Sequence, residues 1–203
     1  ATITSPVVIT CPSGSETAPV GGFNITATGT STNTITIQGA GASNSTITAY
    51  YPQVSASKVD AIFKIVGGDY ITIQGFKMQE NASNTTTTLA SNNMTEFGVA
   101  LFLSSSTNGA SNNIIQNNTI SMGASYQNTF GIFSSSSFSS TNSALAATTS
   151  AGTNSNNKIY GNTISNVAYG VGFICEPITA TLFETGNDFS ARSTNAKSSF
   201  ITG

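Results

Sequence analysis

Chemistry in this chain must come from few side chains: eight acids and six Lys or Arg, with no histidine at all. The acids are Glu16, Asp60, Asp69, Glu80, Glu96, Glu176, Glu184 and Asp188, and no two of them are neighbours in the chain. Glycoside hydrolysis needs two facing carboxyl groups, and elimination from an acidic sugar needs a cluster of acids for calcium with a Lys or Arg as base. The tightest local group is Lys77 with Glu80, which is expected to meet Glu96 across one turn of the fold. A Ser or Cys nucleophile without histidine must borrow a Lys or a carboxylate as its base, and no such pair stands out. The glycines of "GGFN" and "VGGDY" lack the helix and the Lys that follow a phosphate-binding loop. Cys11 and Cys175 are too few for a zinc site or a disulfide framework. The reading is therefore non-catalytic, with no metal and no cofactor, and each acid is expected in a structural or salt-bridged role. The alternative is a polysaccharide lyase or hydrolase.

These residues sit in a chain that repeats itself. "NNIIQNNTIS" at 112–121 returns as "NNKIYGNTIS" at 156–165, and each is soon followed by an aromatic-Gly-aliphatic triplet, "FGI" at 130–132 and "YGV" at 169–171. Aligned on this phrase, Ile37, Ile73, Ile115 and Ile159 form one column. Two residues later come Gly39, Gly75, Asn117 and Gly161, the residue types that tolerate the left-handed conformation of a tight bend. A second apolar column follows with Ala42, Met78, Ile120 and Ile164, and the triplets at 97–99, 130–132 and 169–171 supply a third strand. Runs such as "TITIQ" and "YITIQ" alternate with period two and are rich in β-branched residues, which marks strands rather than helices.

Three short strands and their bends make one turn of a coil. Such a unit cannot bury its apolar columns alone, so successive copies must stack and pair strand on strand. The expected fold is all-β, a right-handed parallel β-helix of about five to six rungs in a single domain. Residues 1–30 form an N-terminal cap or first rung, 31–190 the rungs, and 191–203 a tail or continuation. In these columns no acid lies above another. Cys11 and Cys175 would be several rungs apart, too far for a disulfide, and Cys175 reads as a small apolar packing residue.

At 38% hydrophobic the chain can bury a core, while its surface is dominated by Ser, Thr and Asn and carries a net charge of −2. Phosphate backbones are bound mainly through Lys and Arg, so nucleic acid is not an expected partner, nor is an anionic membrane surface. No apolar run is long enough to span a bilayer. The start "ATITSPVVIT" has no Met and no leader, and reads as a mature or excised segment.

The set "DYITIQGFKMQENASNTTTT", "TEFGVALF", "NNIIQNNTIS", "NTFGIFS", "NSNNKIYGNTISNVAYGVGF" and "ETGNDFS" resembles the right-handed parallel β-helix repeats of large exported bacterial surface proteins, particularly substrates of the type IX route. The resemblance covers 69–190 well and 1–68 more loosely, through "NTITIQGAGASNSTI" and "AIFKIVGG". It implies the β-helix fold, an extracellular or cell-surface location, and membership of a longer protein. The activity expected with it is structural or adhesive, including end-to-end assembly into a fibre, since an open solenoid end offers unpaired strand edges.

The surplus beyond each compact rung falls in 81–95, 103–111 and 134–155, all polar and low in complexity. They read either as an interaction face, the loops after 81 and 134 first, or as tolerated slack. Surface glycans are the candidate ligands there, with Tyr126 and Phe138 offering rings and Asn84 and Asn93 offering amides. Tyr50 and Tyr51 also lie near bends, whereas Phe76, Phe97, Phe130, Phe133, Tyr169 and Phe173 are expected to stack on each other inside the solenoid. Sequons at Asn81, Asn84 and Asn93 cluster in one loop and are candidate glycosylation sites, although six sequons in so Asn- and Thr-rich a chain are expected by chance. Ice binding would need an unbroken Thr ladder, but the position of Thr36 and Thr72 becomes Ile114 and then Lys158.

Overall fold

The computed structural model describes residues 3–53, 57–88, 93–140, 147–174, 182, 184–189 and 200–201. Its strands fall into three parallel sheets. The first contains β1 (Val7–Thr10), β4 (Ile35–Gln38), β7 (Ile71–Gln74), β10 (Ile114–Gln116) and β13 (Lys158–Tyr160), paired in that order. The second runs β2 (Gly14–Thr17), β5 (Ser45–Thr48), β8 (Lys77–Gln79), β11 (Thr119–Ser121), β14 (Thr163–Ser165) and β16 (Phe200–Ile201). The third runs β3 (Phe23–Ile25), β6 (Ala61–Val66), β9 (Phe97–Leu103), β12 (Phe130–Phe138) and β15 (Tyr169–Ile174). The chain visits each sheet once per turn, so this is a parallel β-helix of five rungs. β16 and a bridge from Asp188 to Lys158 add to it beyond the fifth. The segment 7–25 is thus a full first rung. Among the described residues no helix is long and apolar enough to cross a membrane.

The register reproduces the first column read from the sequence: Ile37 pairs with Ile73, Ile73 with Ile115 and Ile115 with Ile159. Their side chains point inward, and each fully buried Ile contributes about 1.5–3 kcal/mol by leaving water. The second column is Ile47, Met78, Ile120 and Ile164. Ala42 does not belong to it. The bend before β5 runs through 39–44, where the next rung turns within 75–76, so the inward position falls later in the chain.

Three of the four expected left-handed bends are present, at Gly75 (φ 74°), Asn117 (φ 55°) and Gly161 (φ 57°). Gly39 is not left-handed. It serves close approach instead, because a Cβ there would collide with the carbonyl oxygen of Gly75 and lie 2.8 Å from the Cβ of Ser45.

The doubled asparagines of the repeated phrase have two separate tasks. The first of each pair, Asn112, Asn117 and Asn156, adopts the left-handed bend. The second, Asn113, Asn118 or Asn157, points inward and is buried; Asn162, which follows Gly161, does the same. One ladder continues the column of Ile71: Asn113 Oδ1 accepts the Ile71 N–H (2.9 Å), Asn157 Oδ1 accepts the Asn113 N–H (2.9 Å), and Asn187 Oδ1 accepts the Asn157 N–H (2.8 Å). A second ladder runs from the Phe76 N–H to Asn118 (3.1 Å) and from the Asn118 N–H to Asn162 (3.0 Å). Bends break the sheet hydrogen bonds, and these amides supply the partners that buried backbone groups require.

The serine run at 134–137, expected as a loop, extends β12 and is buried. Ser134 pairs with Leu101 and Phe173 in register, and the hydroxyls are satisfied within the protein: Asn154 donates to Ser134, Ser135 bonds Ser137, and Ser136 donates to Glu184. The segments 103–111 and 147–153 pack on one another, with the Thr148 N–H on the Ser106 carbonyl (2.7 Å) and the Gly109 N–H on the Ala151 carbonyl (2.8 Å). The aromatic residues divide into two groups and a separate pair, Phe173 with Phe189 (ring centroids 5.0 Å apart), rather than one stack. Phe23, Phe63 and Phe76 pack inside, and Phe97, Phe102, Phe130 and Phe133 form a cluster on the other side of the third sheet, joined by Tyr169 against Phe130.

Candidate functional site

The carboxylates come together in a way the columns did not anticipate. Ala61 pairs with Phe97, which places Asp60 and Glu96 one above the other at the start of adjacent strands. Glu96 Oε2 accepts the Asp60 N–H at 2.8 Å, and the Asp60 carbonyl accepts the Glu96 N–H at 3.2 Å. Tyr126 Oη donates to Glu96 Oε1 at 3.2 Å. The Lys64 ammonium lies within electrostatic reach of both acids; burial pulls its pKa below the ordinary lysine value, while Asp60 and Glu96 push the other way. The Tyr126 hydroxyl is pushed up to about 12, first by burial and further by the Glu96 charge. Two acids, a Lys and a Tyr are the groups an acid–base site would use, yet Glu96 is 0% exposed, Tyr126 1%, Asp60 5% and Lys64 7%. The four side chains form a buried cluster that joins two rungs to the 123–129 turn.

Glu80 closes the base of a loop. Its Oε1 accepts from the Asn81 N–H (2.8 Å), the Asn84 Nδ2 (2.7 Å) and the Thr95 hydroxyl (3.0 Å), and its Oε2 accepts the Thr95 N–H (2.8 Å). These donors lie at both ends of 81–95, so the carboxylate ties the loop's entry to its exit. Burial raises the Glu80 pKa, and the donors offset only part of that shift. Lys77 is not in this group. It stands in the outward column of β8 with Thr46 and Thr119, so the expected meeting of Lys77, Glu80 and Glu96 does not form.

Among the residues expected to face a ligand, Tyr126 is buried and spends its hydroxyl on Glu96. Asn84 is 4% exposed, with its amide donating to Glu80 and to the Tyr50 carbonyl (2.9 Å). Asn93 is half-buried and its Oδ1 accepts the Thr86 N–H; Asn81 is half-buried and donates to the Ala49 carbonyl. Phe138 is 37% exposed at the end of β12, and Tyr51 is exposed. Cys11 is a free thiol within the first rung; Cys175 and Glu176 lie outside the described residues.

The most accessible apolar feature is the first rung itself. Val8 is 60% and Ile9 50% exposed, on the outermost strand of the first sheet. A cavity of about 350 Å³ opens there between the sheets, with Ile9, Phe23, Ile25, Ile37, Ile47 and Phe63 in its walls. The backbone edge is equally open. The N–H groups of Val7 and Cys11 bond the carbonyls of Thr34 (2.9 Å) and Gln38 (2.8 Å), so in a parallel ladder the alternate N–H groups of Val8 and Thr10 point away from the helix. A solenoid must have two open ends, but only the packed structure shows that β1 presents one of them.

No family model matches the sequence, and neither curated proteins nor solved structures show a significant similarity to the chain.

Proposed function

We propose that this chain is a structural β-helix segment of an exported surface protein, extended at its first rung by further rungs of the same kind. For the isolated chain, the occupant of that end is the last rung of a second copy. The observation that carries this reading is the coincidence, at one end, of an unpaired parallel edge and an uncovered apolar core. An unpaired edge is a template for another strand, and β1 itself holds no charged residue or proline, while Pro6 and Pro12 flank it and Glu16 of β2 stands in the inward column with Ile47. The surface location rests on the composition, polar yet only 7% charged, and on the resemblance to exported repeats.

Light scattering over a concentration series, with electron microscopy of the same sample, tests it. Ordered oligomers or filaments are expected. Ile9→Glu, which places a charge in the open core, and Val8→Pro, which removes an edge donor not used inside the monomer, should each return the protein to monomers with the fold retained by circular dichroism. Monomers at every concentration for the unaltered chain would sink assembly by this end.

A further inference from the structure

Beside the Glu80 clasp, three side chains form a short line of hydrogen bonds whose chemistry the clasp does not use. Gln53 lies ahead of β6 and Thr95 ahead of β9, 42 residues apart in the chain. Gln53 Nε2 donates to Thr95 Oγ1 at 3.2 Å, and Thr95 Oγ1 donates to Glu80 Oε1 at 3.0 Å. A carboxamide, a hydroxyl and a carboxylate therefore stand in the order electrophile, nucleophile, base.

The surroundings suit that order. Glu80 holds Thr95 twice, because its Oε2 also accepts the Thr95 N–H at 2.8 Å, and this aims the hydroxyl proton at the carboxylate. A hydroxyl becomes a nucleophile when an adjacent base takes its proton, and a carboxylate fills that role in a chain without histidine. Burial raises the Glu80 pKa, which makes its carboxylate a stronger base. Thr95 is 0% exposed and Gln53 2%, so bulk water, the competing nucleophile, is held away from the carboxamide.

Gln53 Oε1 is the discordant atom. It is buried without a hydrogen-bond partner among the described residues, whereas buried carboxamides ordinarily satisfy both ends. An unsatisfied buried acceptor is costly, and an apolar side chain here would avoid that cost. An ester in place of the carboxamide has no N–H groups to satisfy and a weaker acceptor oxygen, so it suits the dry site better.

We propose that Thr95 and Gln53 become joined, in the folded chain, by an ester bond that the protein forms itself. The carboxamide turns its face to the hydroxyl, and Thr95 Oγ1 attacks Gln53 Cδ as Glu80 takes the hydroxyl proton. The Cδ–Oγ1 bond forms, the Cδ–Nε2 bond breaks, Glu80 returns the proton to Nε2, and one ammonia leaves. Nothing is oxidised or reduced. The product closes a covalent ring from 53 to 95 and ties the entry of β6 to the entry of β9, restricting the unfolded chain as a disulfide does. None of the three residues belongs to the first rung, so the outcome is independent of end-to-end assembly.

The test is mass spectrometry of the full, folded chain after incubation at neutral pH. The intact mass should fall by one ammonia. Succinimide formation at an asparagine also releases ammonia, so trypsin digestion under denaturing conditions locates the bond. Lys58, Lys64 and Lys77 lie between the two residues, and peptides 1–58 and 78–158 should stay joined until hydroxylamine, which cleaves esters, frees them. Thr95→Ser keeps the hydroxyl and should cross-link, whereas Thr95→Val and the unaltered chain held in denaturant should not. Glu80→Gln should cross-link roughly a hundredfold more slowly. Unchanged mass with separate peptides in the unaltered chain, a result that needs no variant to fold, overturns the proposal. A gain in mass at Gln53 overturns it too, since water has then hydrolysed the amide. An equal rate in Glu80→Gln overturns the role of Glu80 as the base.

Discussion

The amide of Asn162 joins two rungs at once: its Oδ1 accepts the N–H of Asn118 at 3.0 Å, and its Nδ2 donates to the carbonyl of Ile115 at 2.8 Å. Both backbone groups sit inside the helix, Asn118 at the bend and Ile115 in β10 just before it, where water cannot replace the lost partner. Asn162→Ala should therefore destabilise the protein by about 1–3 kcal/mol for each group it orphans. Asn162→Asp keeps the acceptor, loses the donor and should be no better. Asn117→Gly, one residue before Asn118 and exposed at the left-handed bend, should be near neutral. Thermal melts of the four proteins decide it; equal melting temperatures for Asn162→Ala and Asn117→Gly would remove the ladder's role.

The glycine inside the aromatic triplet is required by packing. A Cβ at Gly98 would lie 2.5 Å from Cγ2 of Ile120 and 2.6 Å from the carbonyl oxygen of Gly131. Gly98→Ala should cost about 1–3 kcal/mol through overpacking, with the backbone atom unable to yield. Chemical denaturation of Gly98→Ala beside Gly41→Ala, whose added Cβ meets nothing closer than 3.5 Å but whose φ is 112°, separates crowding from backbone strain.

Glu80 predicts a local opening. In Glu80→Gln an amide NH₂ replaces one carboxylate oxygen and must face a donor, so the clasp across 81–95 loosens. Limited proteolysis should cut that loop faster than in the unaltered chain while the rest of the helix resists. The pH dependence has a definite sign. A carboxyl whose folded pKa is raised contributes stability that is full below its unfolded pKa and is lost as pH rises through the folded value. Melting temperature should thus gain a contribution on acidification through the carboxylate range, from Glu80 and from Asp69, whose pKa burial also raises, and Glu80→Gln should lose its share.

Tyr126 acts at the other end of the scale. Its folded pKa of about 12 lies above the ordinary tyrosine value of about 10, so its contribution holds below pH 10 and is lost between there and about 12. Tyr126→Phe should be less stable at neutral pH by about 1.5–3 kcal/mol, the worth of a hydrogen bond to a charged group, if Glu96 is ionised. Its melting temperature should then fall less steeply than that of the unaltered chain above pH 10. Parallel alkaline profiles for the two proteins would refute the assignment.

What the sequence determined by itself is the periodic part of the molecule. Ile37, Ile73, Ile115 and Ile159, and the triplets at 97–99, 130–132 and 169–171, repeat because every rung must fill the same inward position, and a repeated requirement leaves a repeated residue type. The ladders are half legible: the sequence shows the doubled Asn, and the spacing marks Asn117 as a bend, but nothing local marks the inward role of Asn113, Asn118 and Asn157. Asp60 and Glu96 carried a usable signal too, since they are 36 residues apart, the offset that also relates Ile35 to Ile71. That offset is hidden because Ala61 does not resemble Phe97. The tertiary structure alone decided which surplus segments are strand, loop or clasp, that Tyr126 and Asn84 turn inward, and that Gln53 meets Thr95 beside Glu80. These are contacts made once, between segments with no counterpart elsewhere in the chain. A contact made once has no period, and only the packed three-dimensional arrangement brings its partners together.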